Sequence, residues 1–261
     1  MSLLNFLKNH LIDGFLPLHV SVEAMHHYSC TLRDIEELAL GEGILPLRYK
    51  RNQHTLSTSE QYTLFQSHVL ILGCGGLGGF IAELLCRIGV GTLTLMDGDL
   101  FEEHNLSRQN FSNIKTLGQP KAFVLKEALE AINPALHVNA LHRFFEFKEH
   151  TPLLHACDVI VDALDTPALK RALALWAHEH ARPFVHGAIG GYYAQFATNT
   201  TLEHCYAHEG DGLEKRAGNP SFTVAFAASI QSAEIVKLLL GKKHLETPLF
   251  ADLWEYELTS L

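Results

Sequence analysis

The chain has 261 residues, 47% hydrophobic and 19% charged, with a formal net charge of -9. That is enough apolar material for one large domain, or one domain with a modest extension. An acidic chain is a poor general nucleic-acid binder, because phosphate neutralisation needs clustered Lys and Arg.

Five cysteines, Cys30, Cys74, Cys86, Cys157 and Cys205, with no C-x-x-C pair, argue against a disulfide framework and for a reducing cytoplasm. Lys8, His10 and Asp13 interrupt the first apolar stretch. No secretory signal is therefore predicted, and no run of about 20 apolar residues able to span a bilayer. Residues 1–47 read as a helical extension, with two short amphipathic helices near 3–11 and 32–40 around a turn at Pro17. A helix-turn-helix reader fits that outline, but Glu36, Glu37 and Glu42 favour a packing extension. From His68 strands and helices alternate. Strands are predicted at 69–72, 92–96, 137–141, 159–161 and 184–186, an antiparallel strand at 191–199 and a terminal strand at 250–258. Helices are predicted at 80–88, 120–132, 168–180 and 223–240. The pattern implies the α/β class: a Rossmann-like, doubly wound, mostly parallel sheet with antiparallel C-terminal strands.

Gly73-Cys74-Gly75-Gly76-Leu77-Gly78 lies between the first strand and its helix. Glycines permit a tight turn and let backbone N–H groups approach a phosphate, and the helix N-terminus adds partial positive charge. Asp97 follows about 20 residues on, where an acid can hold ribose hydroxyls, and Asp99 stands beside it. Gly73, Gly75, Gly76, Gly78, Asp97 and Asp99 are thus candidate nucleotide-binding residues. The loop by itself does not choose among NAD, FAD and ATP.

Further features bear on that choice. His104-Asn105-Leu106-Ser107-Arg108-Gln109 is a polar segment just past the second strand. Lys121 starts a helix behind Pro120, a residue well tolerated in the first turn, and is expected to point to the pocket mouth. Asp162 and Asp165 follow a strand expected beside the first, and Arg48-Tyr49-Lys50-Arg51-Asn52-Gln53 is a basic cluster. A dehydrogenase does not need an Arg, a Lys and an Asp converging on phosphates. Attack at phosphorus does need cations around the spreading charge and a metal for the leaving pyrophosphate. Magnesium favours one or two carboxylates plus substrate oxygens, a role that suits Asp165. Singly, each residue has a plainer reading: Arg108 as a solvated turn residue, Lys121 as a helix surface charge, Asp165 as a helix N-cap.

Together, GCGGLGG (73–79), LMDGDLFEEHNLSRQNF (95–111), GQPKA (118–122) and VDALDT (161–166) resemble the ThiF/MoeB/HesA family, bacterial relatives of ubiquitin-activating enzymes. The resemblance runs from about Arg48 to the C-terminus and implies an ATP-binding adenylation domain over 48–261. It further implies Gly76 at the ATP phosphates, Asp97 on the ribose, and Asn105, Arg108 and Lys121 on the phosphates, with Arg108 stabilising the transition state. Asp165 would hold Mg2+, and Arg51 would reach the site of a second copy, hence a homodimer. The implied reaction is attack on the α-phosphate by the C-terminal glycine carboxylate of a ubiquitin-like sulfur carrier, MoaD-like or ThiS-like, with loss of pyrophosphate. No general base is needed, because such a carboxylate, with a pKa of about 3.5, is already ionised at neutral pH. No nucleic-acid or membrane partner is expected. Adenylation of a short peptide or an RNA base, a nicotinamide-dependent oxidoreductase and a non-catalytic binder stay open as alternatives.

The chain departs from the family pattern where many relatives carry two C-x-x-C pairs for structural zinc. Here only Cys205 and His208 remain of the first pair, and no cysteine follows Cys205. Structural zinc wants four ligands, so none is expected. Cys205 is also the one cysteine in the glycine-containing segment 203–219, read as a flexible loop, and adenylation is expected without a covalent enzyme intermediate. Met25, Phe144, Phe145, Phe147, Trp254 and Tyr256 are candidates for a partner surface, though packing explains each.

Overall fold

The computed structural model describes residues 1–203 and 217–260. Its first part is a small unit: α1 (Leu3–Asn9), β1 (Phe15–Leu16), α2 (Leu18–Tyr28), α3 (Leu32–Gly41) and β2 (Leu45–Pro46), with β1 and β2 paired in parallel. Thr31 and Asp34 form a reciprocal capping box that starts α3. Leu7, Leu16, Val20, Ala24, Ile35, Ala39 and Ile44 close a core that belongs to this unit alone. The unit has three helices where the sequence predicts two. Pro17 does not make a turn but is the N-cap of α2, at a helix start where its fixed φ and missing N–H do no harm. His26 and His27 in the last turn break up the apolar face that would have marked the helix.

After a 3₁₀ turn at Leu47–Asn52 come α4 (Thr58–Gln66), β3 (His68–Leu72), α5 (Gly76–Ile88), β4 (Thr92–Met96) and a second 3₁₀ turn at Glu103–Ser107. Next are α6 (Lys121–Ile132), β5 (His137–Leu141), α7 (Phe147–Ala156), β6 (Val159–Asp162) and α8 (Pro167–Glu179). The chain then runs through β7 (Phe184–Gly190), β8 (Tyr193–Thr198), α9 (Ser221–Leu239), β9 (Leu249–Asp252) and β10 (Glu257–Ser260). The sheet order is β10-β9-β8-β7-β6-β3-β4-β5. Strands β5, β4, β3, β6 and β7 are parallel, and β8, β9 and β10 are antiparallel.

Alternate residues of β3 feed two cores. Val69 and Ile71 pack under residues of α5, α6 and α9, whereas Leu70 and Leu72 pack under α7 and α8. A strand covered on both faces must be apolar at every position, which is why 69–72 reads as an unbroken run. The chain winds outward from β3 through β4 to β5, then returns to place β6 on the other side of β3. In such sheets the usual ligand crevice lies at the carboxyl ends of the strands where the winding reverses, here between β3 and β6, and the start of the loop after β6 packs on the glycine loop there.

Some elements differ from expectation. The terminal strand predicted over 250–258 is a hairpin, β9 and β10, turned at a stretch with no Gly or Pro, where Asp252 accepts from the N–H of Trp254 and Tyr256 takes φ 60°. Helices α4 and α7 are additional. Pro152 inside α7 hides that helix, and the Ser57/Glu60 capping box was the available signal for α4. By length and composition alone, α9 would pass as a membrane span. It is instead the core helix between α5 and the β7–β8 pair, with Gln231 and Glu234 buried along it.

Candidate functional site

The glycine loop leaves β3 at Gly73, whose φ of +96° suits glycine and whose N–H donates to Met96 O at 2.9 Å. Gly78, one turn into α5, sits so close to the Gly73 carbonyl that a side chain there would overlap it. Gly75 is the N-cap of α5 and supplies no side-chain cap, so the first N–H groups of the helix are left for another acceptor.

Asp97, at the end of β4, is fixed across this loop. Its Oδ2 accepts from Cys74 N–H at 2.6 Å and its Oδ1 from Asp99 N–H at 2.7 Å. Burial pushes its pKa up, against the pull of those two N–H groups and the Lys121 charge. Each carboxylate oxygen keeps a lone pair for a further donor, as a ribose hydroxyl would be. Lys121 opens α6 with its side chain buried, its N–H donating to Asp99 O at 3.0 Å and its Nζ paired with Asp99 Oδ2 at 3.0 Å. An ammonium thus stands beside Asp97 and the loop rather than on an open helix face.

Asn105 is buried in the second 3₁₀ turn, where its Oδ1 accepts from Glu102 N–H at 2.9 Å. Arg108 folds back on the same turn, its Nη1 donating to His104 O at 2.9 Å. Gln109 and Asn110 then lie along the first turns of α5. The Gln109 amide faces Gly75, and Asn110 donates to Glu83 Oε2 at 2.7 Å. Val224, at the start of α9, closes over Gly76 from the other side. Gln109 is only 7% exposed, and its Oε1 has no hydrogen-bond partner among the described residues. Sequence reading assigns Gln109 no role of its own; its place beside Arg108 in the polar segment is the signal that could have found it.

Asp165 is exposed on the loop after β6 and accepts from Thr166 Oγ1 at 3.1 Å. It is not the N-cap of α8, a position that Thr166 holds. Asp162 does not share the crevice; it is buried against Lys170 and His186. Among the described residues no cluster of three or more His, Cys, Asp and Glu side chains is placed to hold a metal. A lone accessible carboxylate does fit Mg2+, which keeps several waters and takes its other oxygens from substrate phosphates.

The basic cluster 48–53 lies elsewhere in its own chain. Arg48 pairs with the buried Glu36 and donates to Asn133 Oδ1 at 3.1 Å, and Lys50 stands over the Phe15 ring. Tyr49 packs on Gly89, the C-cap of α5. The glycine loop is at the other end of that helix, about 20 Å away at 1.5 Å per residue. Arg51 is exposed on this turn. The cluster therefore does not converge on the loop within one chain, because Arg48 is committed to neutralising Glu36.

Of the remaining candidates, Phe145 is buried and Met25 and Phe147 pack against cores, while Phe144, Trp254 and Tyr256 are exposed. Cys205 and His208 lie outside the described residues. Burial pushes the Cys74 thiol far up, Cys86 to about 12 and Cys157 to about 11, so none of these three is a ready thiolate.

Fold and site together define a dinucleotide-fold protein with a glycine loop, an acid at the second strand, and a Lys and an Arg beside the loop. The ThiF family model matches residues 49–261, and the chain belongs to the ThiF family. The molybdopterin-synthase adenylyltransferase of Escherichia coli (strain K12) is 31% identical over 193 residues, 69% of this chain and 76% of that protein. The tRNA threonylcarbamoyladenosine dehydratase of Bacillus subtilis (strain 168) is 36% identical over 124 residues, 47% of this chain and 49% of that protein. Among solved structures, E. coli MccB with ATP superposes with a TM-score of 0.69 at 19% identity, covering 92% of this chain and 81% of that one, a likeness of fold.

Proposed function

We propose that this protein is an ATP-dependent adenylyltransferase that activates the C-terminal glycine carboxylate of a small ubiquitin-like sulfur carrier, MoaD-like or ThiS-like. The observation that carries this reading is the gathering of Asp97, Lys121 and the Arg108–Gln109 segment around the uncapped N-terminus of α5. A hydride-transfer site would have no use for that set of cations.

In this reading the nucleotide lies with its ribose on Asp97 and its phosphates over Gly75 and Gly76, with Gly73 and Gly78 shaping the turn. Binding draws Lys121 from Asp99, and Arg108 from its own turn, onto the phosphates, while Asn105 holds the 3₁₀ turn in place. The carrier carboxylate attacks the α-phosphorus, a new acyl–phosphate bond forms, and the α–β bridge breaks to release pyrophosphate. Arg108 and Lys121 offset the charge that spreads over the phosphate oxygens. Asp165 would hold Mg2+, which would screen the leaving pyrophosphate. Arg51 serves a second copy: about 20 Å of helix separates its turn from its own glycine loop, so it completes the site only in a homodimer. The chain divides at 47/48 into a helical extension and the adenylation domain, a division supported by the separate apolar core of the extension.

The test is ATP–pyrophosphate exchange with magnesium, with and without a panel of carriers ending in Gly-Gly, on the wild type and Asp165→Ala. Exchange that needs a carrier and disappears in Asp165→Ala is expected. Relatives of this chain include a tRNA-directed enzyme, so a tRNA arm is included. Exchange supported by tRNA or a short peptide, and by no carrier, overturns the carrier assignment. Binding of NADH in place of ATP overturns adenylation altogether.

A further inference from the structure

Three ionisable side chains, from β6, β7 and α8, are buried together directly behind the Asp165 loop. Asp162 and His186 are 0% exposed and Lys170 is 3% exposed. Lys170 reaches from the first turn of α8, its Nζ lying 3.2 and 3.3 Å from the two oxygens of Asp162 and 3.1 Å from Gly187 O. His186 Nδ1 is 2.6 Å from Asp162 Oδ2. Burial and the Lys170 charge both hold the imidazole pKa below its usual value, so His186 adds no charge of its own near neutral pH. Burying such a set is expensive, and apolar residues of the same volume often serve stability as well or better. Stability alone is therefore a weak reason for it.

What the cluster touches suggests a reason. Asp162 Oδ1 also accepts from Leu164 N–H at 3.1 Å, closing an Asx turn that sets the direction of the chain toward Asp165. Lys170 grips both carboxylate oxygens and so keeps that acceptor from rotating away. Gln231, from α9, donates to Asp162 O at 3.3 Å and ties down the backbone side. Ala163, between Asp162 and Leu164, donates to Leu72 O at 2.9 Å and lies against both Gly73 and Gly78 of the glycine loop. One short corner thus has the buried charges behind it, the glycine loop beside it and Asp165 at its tip.

We propose that Asp162 and Lys170 are positioning residues: their buried pair sets the Ala163–Leu164 corner so that Asp165 meets a magnesium-bound triphosphate lying over the glycine loop. The proposal rests on the reading of Asp165 given above. The lysine acts through the aspartate, and the aspartate through the Leu164 amide; neither touches the nucleotide.

The experiment measures ATP affinity by calorimetry with and without magnesium, together with Tm and hydrogen exchange at the Leu164 amide, on the full chain. The variants are Asp165→Ala, the double neutral Asp162→Ala/Lys170→Met, and the isosteric Asp162→Asn. In the wild type, magnesium is expected to tighten ATP binding, and Asp165→Ala to abolish that gain. The double variant removes both charges together, so it is expected to unfold near the wild-type temperature. It should nevertheless lose at least tenfold of the magnesium gain, and its Leu164 amide should exchange at least tenfold faster. A double variant with the full magnesium gain overturns the proposal and leaves the cluster a packing feature, while the Asp165 reading stands. If Asp165→Ala keeps the gain, that reading fails and takes the proposal with it. Should the double variant not fold, Asp162→Asn decides: a threefold or larger loss of the gain supports the positioning role, and an unchanged gain overturns it.

Discussion

Gly78→Ala isolates the geometry of the glycine loop. A Cβ at this position overlaps the Gly73 carbonyl oxygen, lies 2.8 Å from the Gly73 carbonyl carbon and 3.3 Å from Ala163 Cβ. Carbon–carbon contact is ordinarily about 3.5–4.0 Å, so the loop has to open by about 1 Å. The nearest obstacle is backbone and the other is the single side-chain carbon of Ala163, just past β6, so no flexible side chain can swing aside to relieve it. Overpacking of this kind costs about 1–3 kcal/mol. At about 2–4 °C per kcal/mol for a chain of this size, Tm falls by roughly 2–12 °C. The effect on function is larger, because a misplacement of about 1 Å in a positioned site can cost about 100-fold in rate. Gly75→Ala is the control. Its Cβ meets nothing nearer than the Gln109 amide nitrogen at 3.5 Å, so Tm should stay within about 2 °C of wild type on the same scale. Thermal unfolding and ATP titration on both variants check the argument. A Gly78→Ala protein with wild-type Tm and wild-type ATP affinity would refute it.

Further outcomes follow from the same geometry. Burial works to raise the Asp162 pKa, but Lys170 and the His186 hydrogen bond outweigh it and leave the group below its ordinary 3.8. A folded-state pKa below the unfolded one adds stability that is present above 3.8 and lost as pH falls through the lowered value, so acid unfolding followed by circular dichroism should be steepest below 3.8 and shallower in Asp162→Asn. Arg48→Met strands the buried Glu36 without its cation and should destabilise the protein by about 3–5 kcal/mol in urea titration. Arg51→Ala, at an exposed position, should change stability by less than about 0.5 kcal/mol while lowering exchange; equal destabilisation by the two substitutions would undo the distinction between them. Alkylation of the native protein near neutral pH, read by mass spectrometry, should leave Cys74, Cys86 and Cys157 unmodified, because burial keeps all three thiols protonated.

The legible parts of this chain were those whose chemistry is local. Strands β4 and β5 have the predicted bounds, and α6 and α9 fall within two residues of them, because apolar periodicity and Pro/Gly punctuation record them directly. The glycine loop was legible because a tight strand–turn–helix permits few residues, and Asp97 because β3 and β4 are adjacent parallel strands, so an acid one strand–helix–strand unit further on ends up beside the loop. Hidden from local pattern were α7, masked by Pro152, and the β9–β10 hairpin, whose turn has neither Gly nor Pro.

Long-range pairing settled what the motifs could not. Arg48 and Arg51 stand three residues apart, yet one is bound to Glu36 in the N-terminal unit and the other is exposed, because Tyr49 between them is anchored on Gly89. Asp162 and Asp165 are equally near neighbours, yet the strand end buries the first against Lys170 and His186 and leaves the second on the loop. Sequence by itself determined the residue types and the loop that the nucleotide chemistry requires. Only the tertiary structure decided which charge stays exposed on a loop and which is spent on a buried partner, since that depends on groups brought together from distant parts of the chain.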